Sequence, residues 1–426
     1  MSSTPLSSTR PSRVGPGLLL LGGLALGLPA SAQDDDSNEN LSEETITGSR
    51  LGGLDTSQIP LVEQNRWSLD HGDARYSARA RRGAEVLHTS EPFVADAISA
   101  VEALYHRHYA DAKQQFADIG ARYPGSAMEP VGQVLVWQAL MLENFDFKYV
   151  SQYELALKRA RSELEEALLQ PGNDAYEYFI LGGMLGIDSI HTMRTGEYVK
   201  ALNRGIEAMK AVAHCKELAP DFVDAKLGDG LFNYWRTVIA RSSKAIPDMG
   251  DHRAEGISQI QDVERDGIFL GPPATLSLVF TWMEEGDMSK ALAATLKNQQ
   301  GYPDNLVNTL VLGRVYMYMR RYSDSEATFT SVIAQDPKNE RVYYYLTRLY
   351  MRTRNLPGAR RSIDAYLAFN LDDESRGYGL YQKGLLEYRE KNWDAAEGAF
   401  QESYKLARID SAKQRVDMVR QKRAGG

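Results

Sequence analysis

Residues 278–311 read LVFTWMEEGDMSKALAATLKNQQGYPDNLVNTLV, and residues 312–345 restate their pattern as LGRVYMYMRRYSDSEATFTSVIAQDPKNERVYYY. Leu278, Leu312 and Leu346 are spaced by 34 residues, and an aromatic residue follows each of them four positions later, at Trp282, Tyr316 and Tyr350. Small residues recur at Ala291, Ser325 and Ala359, and Pro303 and Pro337 close the first two units. Positions i and i+4 share one helix face, and a proline stops a helix at the residue before it. Each unit is therefore a helix–turn–helix. One such pair cannot bury its apolar face alone, so neighbours stack and share a core. The small residues let paired helices approach, while Phe329, Ile363 and Phe400 fill the layer between units. These positions are core, and no ligand is expected at them.

This period and order resemble the tetratricopeptide repeat. The resemblance implies an all-α, right-handed solenoid of antiparallel helix pairs, and a scaffold that binds other molecules in place of a catalyst. Toward the C-terminus the unit returns at Gly384, Ala396 and Phe400, after a short insertion at Asp372-Asp373-Glu374. Residues 409–426 follow as a basic capping helix and tail. Toward the N-terminus, Ala112, Phe116 and Pro124 mark a divergent unit whose partner helix runs from Pro130 to Glu143. Longer helices are expected at Leu155–Leu169, Tyr176–Met193 and Ala201–Leu218. Gly182, Gly183 and Gly186 interrupt the second of these. A helical glycine costs about 1 kcal/mol against alanine, so all three are read as points of close helix–helix contact.

The first residues read as an export signal. Arg10 and Arg13 precede the apolar run GLLLLGGLALGL at 17–28, and Ala30-Ser31-Ala32 offers a cleavage point before Gln33. The run is shorter than the roughly 20 apolar residues that span a bilayer. No further membrane-spanning stretch follows, so no insertion of the mature chain is expected. Residues 33–65 open with Asp34-Asp35-Asp36 and lack periodicity, which reads as a disordered acidic linker. The expected organisation is thus signal peptide 1–32, linker 33–65, divergent helical repeats 66–270, a regular array 271–408 and the cap 409–426. The location implied is the periplasm, the outer membrane surface or the cell exterior.

Cleavage would remove two arginines and no acid, leaving 47 basic against 57 acidic residues. That balance argues against general nucleic-acid binding, which needs basic surface to neutralise phosphates. Cys215 is the single cysteine, so no intramolecular disulfide can form, and it reads as a small buried hydrophobe. His-Glu-x-x-His, Gly-x-Ser-x-Gly, phosphate-loop and paired-cysteine motifs are missing from the sequence. His106 and His108, two apart, would occupy different helix faces, and His191 with Asp188 lacks an evident third ligand. No catalytic residue, metal site or cofactor is expected.

The stretch 224–257 departs from plain repeats. It reads DAKLGDGLFNYW at 224–235, then GDHRAEG at 250–256. This resembles a group of exported bacterial tetratricopeptide proteins that share a Gly-x-Gly-x-Phe/Tyr-Asn helix and a Gly-Asp-x-Arg-x-x-Gly turn. It is distantly similar to a eukaryotic tetratricopeptide family implicated in inclusion and lipid-droplet handling. What the resemblance implies is a helical scaffold, and it carries over no catalytic residue. Where the eukaryotic family has an apolar stretch after the Asn, this chain has Trp235-Arg236-Thr237-Val238, so membrane or lipid contact is not expected here. From their own chemistry, Asp251 and Arg253 are placed to cap and brace the helix entering Gly256. Asn233 and Arg236 would reach that turn across the helix pair. A polar ligand pocket made by these four is the alternative.

In a repeat of this type the first helix of each pair lines the concave groove. That places Arg314, Met317, Tyr318, Arg341, Tyr344, Arg348, Met351, Arg352, Tyr378, Tyr381, Tyr388 and Arg389 along it. Arginine and tyrosine are enriched at interaction hot spots, and arginine grips carboxylates bidentately. The competing account is that some of these side chains snorkel or pair with local acids such as Asp336 and Glu340. The clamp of chaperone-binding repeats is not reproduced, since Leu310 and Tyr344 hold key positions. The sequence thus points to a non-catalytic scaffold of the cell envelope that takes an acidic or extended protein segment at Arg314, Tyr318, Arg341, Tyr344, Arg348, Arg352, Tyr381 and Arg389. A structural subunit of an envelope assembly and a lipid or small-molecule carrier are the alternatives. Nothing in the sequence sets the oligomeric state.

Overall fold

The computed structural model describes residues 74–144, 146–172, 175–194, 197–242 and 250–424. The expected signal peptide and acidic linker lie outside the described residues. Within them are eighteen α-helices and no strand. The front half comprises α1 (Ala74–Leu87), α2 (Glu91–Tyr105), α3 (Tyr109–Arg122), α4 (Met128–Asn144), α5 (Val150–Ala167), α6 (Ala175–Arg194), α7 (Tyr198–Leu218), α8 (Lys226–Ser242) and α9 (Arg253–Asp266). The regular half comprises α10 (Gly271–Glu284), α11 (Met288–Gly301), α12 (Leu306–Tyr318), α13 (Tyr322–Gln335), α14 (Glu340–Arg352), α15 (Leu356–Ala368), α16 (Asp373–Arg389) and α17 (Trp393–Ala407), closed by α18 (Asp410–Ala424). Each helix packs on the next, which makes an all-α solenoid of tetratricopeptide type.

The repeat chemistry is visible in the packing. Ala291, Ala359 and Ala396 are fully buried, as are Phe329, Ile363 and Phe400. A side chain on Gly313 would collide with Phe329, and one on Gly384 with Phe400. Ser325 takes the small position of its unit and donates to the Gly313 carbonyl at 2.8 Å. The turn inside each pair is equally regular. Gly286, Arg320 and Arg354 adopt positive φ at spacings of 34, and Lys391 follows 37 later, so the insertion at Asp372-Asp373-Glu374 amounts to three residues. At each turn the next amide reaches back to the helix, as in Arg321 N to Tyr316 O at 2.9 Å and Asn355 N to Tyr350 O at 2.9 Å. This is the Schellman closure, which favours glycine because L side chains strain in that conformation.

Contacts between distant elements bend the solenoid back on itself. Helix α4 touches both α12 and α14. Tyr302 donates to Glu102 at 2.9 Å, Asn305 to the Tyr105 carbonyl at 2.8 Å, and Lys148 to Glu340 at 2.7 Å. Arg107 donates to Asp336 and, at 2.6 Å, to Glu143. The cross-links join the α2–α5 region to the turns before α12 and α14, and they enclose the interior of one superhelical turn.

Cys215 sits fully buried on α7, where burial first and nearby Asp224 second push its thiol up to about 12. It is protonated at ordinary pH and packs as an apolar side chain. None of the described helices is long and apolar enough to cross a membrane.

Candidate functional site

The expected groove residues fall on three helices: Arg314 and Tyr318 on α12, Arg341, Tyr344, Arg348 and Arg352 on α14, and Tyr381 and Arg389 on α16. Arg341 and Arg348 are two turns apart on one face. Most of these groove positions are buried in place of lying open along the groove. Arg314, Arg341 and Arg348 are 2%, 7% and 3% exposed, and Tyr344 and Tyr381 are buried with them. Aromatic packing is the reason. The Arg314 guanidinium lies 5.7 Å from the Phe280 ring and 5.6 Å from Tyr345, and Arg341 lies 4.8 Å from Tyr344 and 5.1 Å from Tyr345. A guanidinium laid on a ring buries both partners. Tyr318, Arg352 and Arg389 are half-buried, with Arg352 5.7 Å from the Tyr318 ring and Arg389 donating to the Met351 carbonyl.

The centre of this cluster is Tyr345, which the groove positions of the repeat did not select. Burial raises its phenol, but Arg341, Arg314 and Arg348 outweigh that effect and bring it down to about 8. The Nη2 group of Arg314 has no hydrogen-bond partner among the described residues. The acids expected to neutralise the row do other work. Asp336 pairs with Arg107 and Glu340 with Lys148, both on the far side of the closure. Sequence carried one hint of Tyr345, the run Tyr343-Tyr344-Tyr345, without indicating which ring would face the arginines.

At the central turn, Asp251 and Arg253 form a paired carboxylate and guanidinium at 3.1 Å. Arg253 reaches on to Glu285 at 2.9 Å, and Tyr234 donates to the same carboxylate at 2.9 Å. Asp251 also accepts from the Arg253 amide at the start of α9. Among the described residues, neither Asn233 nor Arg236 makes a hydrogen bond to this turn, contrary to expectation. Asn233 donates to Gln259 at 3.0 Å, and Arg236 lies 5.1 Å from the Phe232 ring on its own helix. It is Thr237 that touches the turn, accepting from the His252 amide at 3.2 Å. The glycines explain the close approach. A Cβ on Gly256 would stand 2.5 Å from the Gly230 carbonyl oxygen, and one on Gly230 would stand 2.9 Å from the Gly256 oxygen.

The histidine pair also differs from expectation. His106 and His108 leave the helix after Tyr105, with Arg107 between them at positive φ, so helix faces do not separate them. Both approach Asp304, at 3.1 Å and 3.9 Å. Among the described residues, no cluster of three or more histidine, cysteine or carboxylate groups is arranged to hold a metal ion. On the capping helix, Arg420 pairs with Glu397 at 2.7 Å and Arg423 with Asp394 at 2.7 Å, so its basic face is partly neutralised by α17.

Residues 317–384 match the sequence model of the tetratricopeptide repeat family, a span that begins at the end of α12 and runs into α16. No curated protein matches the chain. Among solved structures, a human IFIT1 dimer with PPP-AAAA aligns over 83% of this chain and 86% of its own, at 13% identity and a TM-score of 0.39. The Cut9–Hcn1 hetero-tetramer of APC/C aligns over 81% and 87%, at 12% identity and 0.32. The P58(IPK) tetratricopeptide domain aligns over 82% and 98%, at 12% identity and 0.24. At TM-scores under 0.5, no ligand or partner passes from these proteins to this one.

Proposed function

We propose that this chain is a non-catalytic protein-binding scaffold of the bacterial cell envelope, which holds an acidic or extended segment of a partner against α12, α14 and α16. The observation that carries the reading is the convergence of Arg314, Arg341 and Arg348 on Tyr345. Three like charges around one buried phenol favour an anion at that place. Tyr318, Arg352 and Arg389, half-buried beside this cluster, leave it a surface that a carboxylate of the partner can meet. The repeat-family match over 317–384 supports an interaction role for these helices. The envelope location rests on the apolar segment 17–28 with its flanking arginines and small residues.

The test is crosslinked capture from the envelope of the source organism, with wild-type chain and with Arg348→Glu combined with Arg352→Glu. An acidic protein captured by the wild type and lost from the variant, at unchanged helical content, is the expected outcome. Equal capture by both contradicts the proposal.

A further inference from the structure

The superhelical closure surrounds a cavity of about 780 Å³ between α2, α4, α6, α7, α8 and α10–α12. Its volume lies within the range of small-molecule sites, roughly 300–1,000 Å³. The walls are hydrocarbon almost throughout, with Leu135, Phe179, Met184, Leu231, Trp235 and Leu276 among them. Such a wall recognises an apolar body, because water finds too few polar partners there.

Glycines shape the space. Helix α6 was expected to use Gly182, Gly183 and Gly186 for close packing, but only Gly182 does so, with Val212 and the Ala208 carbonyl beside it. A Cβ on Gly183 or Gly186 would meet nothing within 4 Å, and both line the cavity. Gly228, the first glycine of the 228–233 motif, also lines it, with its nearest neighbours at 3.8 Å and 4.0 Å. Glycine weakens a helix, and no packing neighbour explains these three. What they produce is room.

Polar groups in the wall are few, and among the described residues two of them, Gln138 Oε1 and Trp235 Nε1, have no hydrogen-bond partner. Gln138 on α4 is 6% exposed and lines the cavity, and its Oε1 has no hydrogen-bond partner. The other carboxamide and carboxylate groups are engaged. Asp224 accepts the amides of Ile268, Phe269 and Leu270 at 2.7 Å each, and Asn298 and Asn305 donate to the carbonyls of Pro272 and Tyr105. At the opening, Ile206 and Phe232 line the cavity while remaining 48% and 36% exposed, which makes an apolar mouth. Lys210, one turn from Ile206, is exposed there too.

We infer that this cavity binds an amphiphile with a long hydrocarbon body and a single hydroxyl group, the body lying against α6, α7 and α8 and the hydroxyl on the Gln138 amide. A hydroxyl both donates and accepts, so it satisfies Gln138 whichever way the amide is turned. The site is separate from the arginine cluster and stands without it.

The experiment is displacement of the fluorescent dye N-phenyl-naphthylamine from the purified full chain by tetradecanol, tetradecanoate and tetradecane. Displacement with tetradecanol strongest is expected. Gly183→Leu combined with Gly186→Leu fills the space, and should weaken dye and alcohol binding by about tenfold or more while melting no lower than wild type, since leucine is the better helix former. Gln138→Leu should keep dye binding and abolish the preference for alcohol over alkane, a preference of about tenfold for one hydrogen bond. Absence of dye binding, or binding unchanged by the leucine pair, overturns the cavity as a site. A preference for tetradecanoate that disappears in Lys210→Ala overturns the placement of the polar group at Gln138.

Discussion

Arg107 and Asp336, 229 residues apart in sequence, form an ion pair across the closure of the superhelix. Arg107 is also the cation for Glu143, whose side chain is only 5% exposed. Arg107→Ala leaves that carboxylate buried with Tyr109 as its remaining donor, and breaking a buried pair of this kind costs about 3 kcal/mol. Lys148→Ala likewise takes the cation from Glu340 and Asp146, whose side chains are only 3% and 2% exposed, and should also cost about 3 kcal/mol. Denaturant midpoints measure both losses. Solution scattering on the Arg107 variant should show an expanded particle, and a midpoint and particle size unchanged from wild type would contradict the role given to Arg107.

The turns of the regular repeats place arginine or lysine where glycine is favoured. Arg354→Gly and Lys391→Gly remove a left-handed strain of roughly 1 kcal/mol each. Each single variant should therefore melt higher than wild type, whereas Gly286→Ala should melt lower. Calorimetry on the three proteins checks the sign in each case.

Tyr345 should titrate below the ordinary range of a tyrosine. Its folded value of about 8 lies below the unfolded value near 10. The folded chain therefore releases this proton first, and the stability so gained appears as pH rises from about 8 and is complete above about 10. Below pH 8 it contributes nothing. Ultraviolet difference spectra should show one tyrosinate forming near pH 8, moved to higher pH in Arg314→Met. An onset only near pH 10 in the wild type would contradict the cluster.

The register of the repeats was legible because Leu278, Leu312 and Leu346 obey a local period that reports contacts between neighbouring helices. The Arg107–Asp336 closure was not, since no local pattern records which turns meet after a full superhelical turn. Gly183 and Gly186 were visible as anomalies, but whether a helical glycine faces a partner or a space depends on helix rotation. The arginines were found by position, and their burial was missed because it depends on Phe280 and Tyr345 supplying the faces on which they lie. A reach from Asn233 across the helix pair to the Asp251 turn depends on the crossing, and the close approach of Gly230 and Gly256 aims Asn233 at Gln259 instead.

The central claim is that the regular repeats offer a positively charged place for an acidic segment. Fluorescence anisotropy of a labelled, extended glutamate-rich peptide titrated with the full chain tests it most directly. Binding should weaken as salt rises. A loss of about tenfold or more is expected in Arg314→Met and in Arg348→Glu combined with Arg352→Glu, both with native helical content. Equal affinity for a lysine-rich peptide, or affinity unchanged in both variants, would contradict it.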